Sequence, residues 1–96
     1  MLLEVKGSGV DVTAEHLQAA LNRYLTPLWR KYGAIILKFR VELAAIEGLG
    51  FRCNLQSELA MFGVFEVDRN DDDLLLAIAI AAEQLQLTLA TILSDE

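Results

Sequence analysis

The sequence predicts one small α+β domain, a four-stranded sheet with two helices packed on one face, in the order β-α-β-β-β-α. Three observations point there. Two stretches place apolar residues at three- and four-residue steps, the mark of amphipathic helices. Between them, residues 35–59 alternate apolar and polar for two full strands, with a glycine-rich break in the middle. The whole is 96 residues, enough for one domain spanning 1–96 with a modest core.

The elements follow in order. Leu3, Val5 and Lys6 run into Gly7-Ser8-Gly9, a short strand closing in a turn. Val10-Asp11-Val12 leads to Thr13, expected as a helix N-cap, with Glu15 in the first turn. Leu17, Ala20, Leu21, Tyr24, Leu25, Leu28 and Tyr32 trace the apolar face of the first helix. Pro27 interrupts it and predicts a kink, or a restart capped by Thr26. Gly33 ends it, after Arg30 and Lys31 in the last turn, where cations suit the helix dipole.

Ile35, Leu37, Phe39, Val41 and Leu43 then alternate with Lys38, Arg40 and Glu42. After the Gly48-Leu49-Gly50 turn, Phe51, Cys53, Leu55, Ser57 and Leu59 alternate with Arg52, Asn54, Gln56 and Glu58. The two predict an antiparallel hairpin. Gly63 marks another turn, Val64 to Asp68 a fourth strand, and Asn70 to Asp73 an acidic cap. A long helix runs from Asp73 to about Leu93, with Leu75, Ile78, Ala82, Leu85, Leu89 and Ile92 as its core stripe.

Composition narrows function. Apolar residues make up 54% of the chain, which either fills an Ala/Leu-rich core or leaves surface for a partner to cover. The net charge of −6, from 14 acids and 8 bases, opposes unaided binding to phosphates and favours either solubility or a protein partner with a basic patch. Neither DNA nor a membrane is expected as a partner. The uninterrupted apolar run Leu74–Ala82 is too short to cross a bilayer, and Met1-Leu2-Leu3-Glu4 does not read as a signal peptide. With the single Cys53 no internal disulfide can form, and a cytoplasmic location is expected.

No residue set points to catalysis, a metal or a cofactor. His16, the single histidine, has no Cys, Asp or Glu at ligand spacing and reads as an exposed helix-start residue. Cys53 falls on the apolar phase of a strand, where a free cysteine behaves as a small hydrophobe. Asp71, Asp72 and Asp73 suit the positive end of a helix and lack the spacing of a calcium loop. The glycines match neither a phosphate loop nor a dinucleotide fingerprint. The one local basic cluster is Lys38 and Arg40 with Arg52 across the hairpin and Arg30 and Lys31 just before, either a solvated sheet face or a binding patch.

Several strings resemble the hibernation-promoting and ribosome-associated inhibitor family, also called sigma-54 modulation proteins. They are Gly7 followed by Val10-Asp11-Val12-Thr13; Leu28, Arg30, Lys31 and Tyr32 at the first helix end; and Asp72-Asp73-Leu74-Leu75-Leu76-Ala77-Ile78 continuing to Glu83 and Leu85. The likeness spans nearly the whole chain. It implies a non-enzymatic translation regulator that binds the small ribosomal subunit, occludes tRNA and messenger sites, and needs no cofactor. It implies ribosomal RNA contacts from Arg23, Arg30, Lys31, Lys38, Arg40 and Arg52. The final helix departs from the pattern. The family's basic positions fall on Gln84, Leu87, Ala90, Thr91, Ile92 and Leu93, none of them basic, and Leu75 stands where a Tyr is usual.

That helix carries a second stripe instead, Leu76, Ile80 and Leu87, opposite its core side. The stripe predicts a protein interface, with a protein partner or a homodimer across it, in a module that has lost the ribosome. A continuous basic face would favour the ribosome; scattered bases beside an apolar helix face would favour a protein.

Overall fold

The period-two alternation around Phe39, Val41 and Leu43 becomes the central strand pair of a mixed sheet. The computed structural model describes residues 1–48 and 50–93. Its elements are β1 (Leu3–Ser8), α1 (Glu15–Tyr32), β2 (Ile36–Ile46), β3 (Gly50–Leu59), β4 (Gly63–Asp71) and α2 (Leu74–Leu93). The strands lie in the order β1-β2-β3-β4, with β1 parallel to β2 and the other pairs antiparallel. The α+β order and the hairpin are those the alternation predicts. Leu49, in the predicted Gly48–Gly50 turn, lies outside the described residues.

Register sorts the sheet into two chemistries. Val5, Val41, Leu55 and Val67 form one row across all four strands, turned to the helices. Phe39, Leu43, Cys53 and Leu59 extend that face, and all are buried. The other face carries Glu4, Arg40, Gln56 and Glu66 in one row and Lys6, Glu42, Asn54 and Asp68 in the next. Leu17, Leu21, Leu25 and Leu28 of α1 and Ile78, Ala82, Leu85 and Leu89 of α2 close the core over the inner face. α2 lies along β3 and β4, with α1 beside it.

Two glycines are demanded by close approach. A Cβ on Gly7 would sit 2.6 Å from Val12 Cγ1 and 2.7 Å from the Val10 carbonyl oxygen. Gly50 takes φ +90°, and a Cβ there would meet the Asp71 oxygen at 2.6 Å, where β3 starts beneath the β4–α2 junction.

The structure departs from the expected local details in five places. Thr13 does not cap α1. Its hydroxyl donates to Asp11 Oδ1 at 2.6 Å and its N–H to the same oxygen at 3.0 Å, a local turn that leaves Ala14 at the cap position without a side-chain bond. The chain does not restart at Thr26, because α1 runs unbroken through Pro27. The carbonyl that Pro27 leaves unpaired belongs to Arg23; both residues are exposed, so water can satisfy it. The inward phase of β2 starts at Ile36; Ile35, just before the strand, is partly buried against the core, and Leu37 is not inward. A bulge between Ile36 and Lys38 turns Leu37 outward, half-exposed. β4 extends to Asp71, so the cap is confined to Asp73, whose Oδ1 accepts the Leu75 N–H at 2.9 Å.

The last departure concerns the α2 core stripe. Leu75 is exposed and Ile92 half-buried, while Ala77 and Ala81 are fully buried. A stripe drawn through the large residues misses the small ones, which are what let a helix lie close on a sheet. α2 as a whole also has the length and apolar composition to cross a membrane, which its nine-residue uninterrupted run did not suggest. Here its inner face is packed on the sheet.

Candidate functional site

The outer face of the sheet holds Lys6, Lys38, Arg40 and Arg52 among Glu4, Glu42, Glu58, Glu66 and Asp68. Four bases face five acids, and most are engaged with each other. Lys38 Nζ sits 2.8 Å from Glu4 Oε2, Arg40 Nε 3.6 Å from Glu4 Oε1, and Lys6 Nζ 3.9 Å from the same oxygen. The Lys38 hydrogen bond, with Arg40 and Lys6 behind it, holds the Glu4 carboxyl below its usual range. Arg52 grips Asp68, its Nε 2.9 Å from both carboxylate oxygens, and Asn54 Nδ2 donates to Asp68 at 3.1 Å. That grip lowers the Asp68 pKa, and the Asn54 bond adds to it. Gln56 joins on by donating to Glu66 and to Asn54. Such a face is close to neutral and offers little to a phosphate.

α1 differs. Leu17, Leu21, Leu25 and Leu28 turn inward, so Arg23, Arg30 and Lys31 are left in solvent. Among the described residues none of these three is in an ion pair. Arg23 stands 5.8 Å over the Tyr24 ring centre and Lys31 5.4 Å over that of Tyr32. Heptad spacing puts His16, Arg23 and Arg30 in one line, about 10 Å apart. Glu15 is the only acid in the helix. The six predicted RNA-contact residues are thus divided. Arg23, Arg30 and Lys31 share α1, while Lys38, Arg40 and Arg52 lie on the opposite side of the sheet, largely neutralised.

α2 presents a third kind of surface. Leu76, Ile80 and Leu87 are 48%, 36% and 62% exposed, along a face with no basic residue. Gln84 on its flank accepts a hydrogen bond from Arg69 of β4, which ties that flank to the sheet edge. Gln84, Leu87, Thr88, Thr91 and Ile92 line an open hollow of about 270 Å³.

The residues weighed for chemistry have structural places. Cys53 is buried, and desolvation pushes its thiol up to about 12, so it is not a nucleophile near neutral pH. His16 is exposed. Among the described residues no three His, Cys, Asp or Glu side chains gather at metal-binding distance. Glu4 and Asp68, the acids that disarm the sheet face, escaped the sequence reading. Glu4 lies next to Arg40 only because β1 pairs parallel to β2, and local periodicity does not report that register.

No family model matches the chain, and no curated protein matches it in sequence. Solved structures do resemble it. The N-terminal domain of Protein Y from Thermus thermophilus superposes with a TM-score of 0.83 at 24% identity, over 96% of this chain and 99% of that one. A ribosomal subunit interface protein from Coxiella burnetii gives 0.83 at 15% identity, over 99% and 100%. At these identities the likeness shows the fold, and the fold agrees with the one that the resemblance to the hibernation family implies.

Proposed function

We propose that this chain is a ribosome-binding factor without enzymatic chemistry, acting in the cytoplasm. It docks on the small subunit and blocks tRNA and messenger sites by occupying them. The observation that carries this reading is the end-to-end fold likeness to a protein named for the ribosomal subunit interface. The cations of α1, in no ion pair among the described residues, support it, because they are the bases most free to meet RNA phosphates. The contact uses Arg23, Arg30 and Lys31 first, with Lys38, Arg40 and Arg52 contributing only if their acidic partners yield them.

Co-sedimentation with ribosomes and with separated subunits tests this. Binding is expected at low salt, on the small subunit, with a shallow salt dependence of about three counterions. Replacing Arg23, Arg30 and Lys31 together by Ala should remove most of it. Failure of the wild-type chain to co-sediment at low salt refutes the reading.

A second reading is favoured by one feature, the outer face of α2, which is aliphatic apart from the exposed Glu83. Here the module has kept the fold, lost the ribosome and binds a protein through Leu76, Ile80 and Leu87. Leu87→Lys would then break that complex with the fold intact; if this change unfolds the domain, the stripe is core.

A further inference from the structure

β4 is the long free edge of the sheet. Its nine residues, Gly63–Asp71, pair with β3 in unbroken register. Among the described residues no strand lies on its other side, and no turn or loop backbone bonds to it. About half of its N–H and C=O groups therefore point outward, a template for one more strand. Edges are commonly guarded by shortness, a proline, a bulge or charge. β4 has no proline and no bulge, and it is longer than the six-residue β1 at the opposite edge.

Charge is the guard that β4 does have, and it has one sign. Glu66, Asp68, Asp71, Asp72 and Asp73 follow one another along the edge and the junction after it, with Arg69 as the one base among them. Arg52 answers Asp68 alone. A second copy pairing here would bring two acidic edges together, which opposes self-association. The same acids attract a strand that carries bases.

The helix layer is open above this edge. α2 turns back directly after β4 and packs along it, so its second half lies over the Gly63–Val67 end. Arg69, the inward charge of the edge, is already drawn to Gln84 on that flank. Gln84, Leu87, Thr88, Thr91 and Ile92 line the hollow of about 270 Å³ there. Thr88 Oγ1 donates to the Gln84 carbonyl and Thr91 Oγ1 to the Leu87 carbonyl, each at 2.9 Å, so neither hydroxyl needs a partner. Phe65 below and Ile92 above are only partly buried. The core is thus unfinished on the side where another strand would lie.

We propose that an extended segment of another protein, alternating basic and apolar residues, adds to β4 as a fifth strand. Its apolar side chains stand beside Phe65 and Val67 and rise against the α2 flank. Its bases stand on the outer face beside Glu66 and Asp68. Backbone bonds supply affinity, and the alternation supplies specificity. The cations of α1 stay free, so the proposal does not rest on the ribosome reading.

Fluorescence anisotropy of the full chain with labelled alternating Lys/Val peptides of about ten residues tests it. Binding is expected below about 1 mM. Methylating every second peptide nitrogen should abolish binding in one phase and spare it in the other, because only one edge of the added strand bonds β4. Glu66→Lys and Thr91→Lys should each weaken binding about tenfold. Glu15→Lys, the same change in charge as Glu66→Lys but made on α1, should not. If the edge variants fail to fold, amide exchange of the unmodified chain gives the answer: the peptide should slow exchange in β4 and not in α1. No binding at about 1 mM overturns the proposal. So does binding indifferent to the methylation phase, an equal loss with Glu15→Lys and Glu66→Lys, or a peptide that protects α2 and leaves β4 unprotected.

Discussion

α1 and α2 lie side by side on the same face of one sheet, yet they show solvent opposite chemistries. Each buries a stripe of aliphatic residues against the core. Beyond that stripe α1 carries Arg23, Arg30 and Lys31, and α2 carries Leu76, Ile80 and Leu87. The inner faces are interchangeable in kind because the sheet asks only for apolar volume. The outer faces are not constrained by folding, so they carry the functional information. A helix of cations suits a polyanion, and a helix of aliphatics suits a protein.

The largest expected effect separates the two sides of α2. Leu85→Ala, at a position with no exposure, should cost about 2–5 kcal/mol in urea denaturation, whereas Leu87→Ala should stay within about 0.5 kcal/mol. Equal losses would mean that the outer stripe is packed and that the contrast with α1 is false.

The next tests the outer face of α1 against the sheet. Alanine at Arg23, Arg30 and Lys31 should remove most ribosome affinity and flatten its salt dependence. Alanine at Lys38 and Arg40 should leave both nearly unchanged, since Glu4 already engages them. The reverse outcome would move the site to the sheet.

A smaller effect concerns the shared floor beneath both helices. Ser57 faces the core, fully buried, with no hydrogen-bond partner for its hydroxyl. Ser57→Ala should raise stability by about 1 kcal/mol, measured by denaturation midpoint. Destabilisation would mean that the hydroxyl has a partner in solution.

The smallest is a pH effect on the neutralised face. Asp68 is depressed by its Arg52 and Asn54 bonds, so folding binds its proton less tightly than the unfolded chain does. Its stabilisation is present above the ordinary carboxylate range and is lost as pH falls through the lowered value. Asp68→Asn should therefore reduce stability slightly at pH 7 and shrink the acid-side loss, compared with wild type in urea melts at pH 7 and pH 3. An unchanged acid slope would show the Arg52 pair to be energetically idle.

Much of the fold was legible in the sequence, and the site only in part. Phe39, Val41 and Leu43 announced an inward row by simple alternation, and Gly33 fell at the end of α1, while Gly7, read as the start of a turn, lies inside β1. The bulge at Leu37 and the burial of Ala77 and Ala81 were not legible, since each depends on which neighbour lies across the fold. The outward stripe of α2 was visible because Leu76, Ile80 and Leu87 have no place on the core side.

The sequence by itself determined the order of elements, the inward rows and the absence of bases along α2. These are local patterns, set by residue type and spacing along one strand or one helix. Only the tertiary structure decided which cations remain available. Glu4 reaches Lys38 and Arg40 through a parallel strand pairing, and Asp68 reaches Arg52 across an antiparallel one. Among the described residues Arg23, Arg30 and Lys31 stay unpaired, because α1 holds them on the far side of the core from those acids. Charge compensation acts through space, so residues distant in sequence divided one run of bases into a neutral sheet face and a cationic helix.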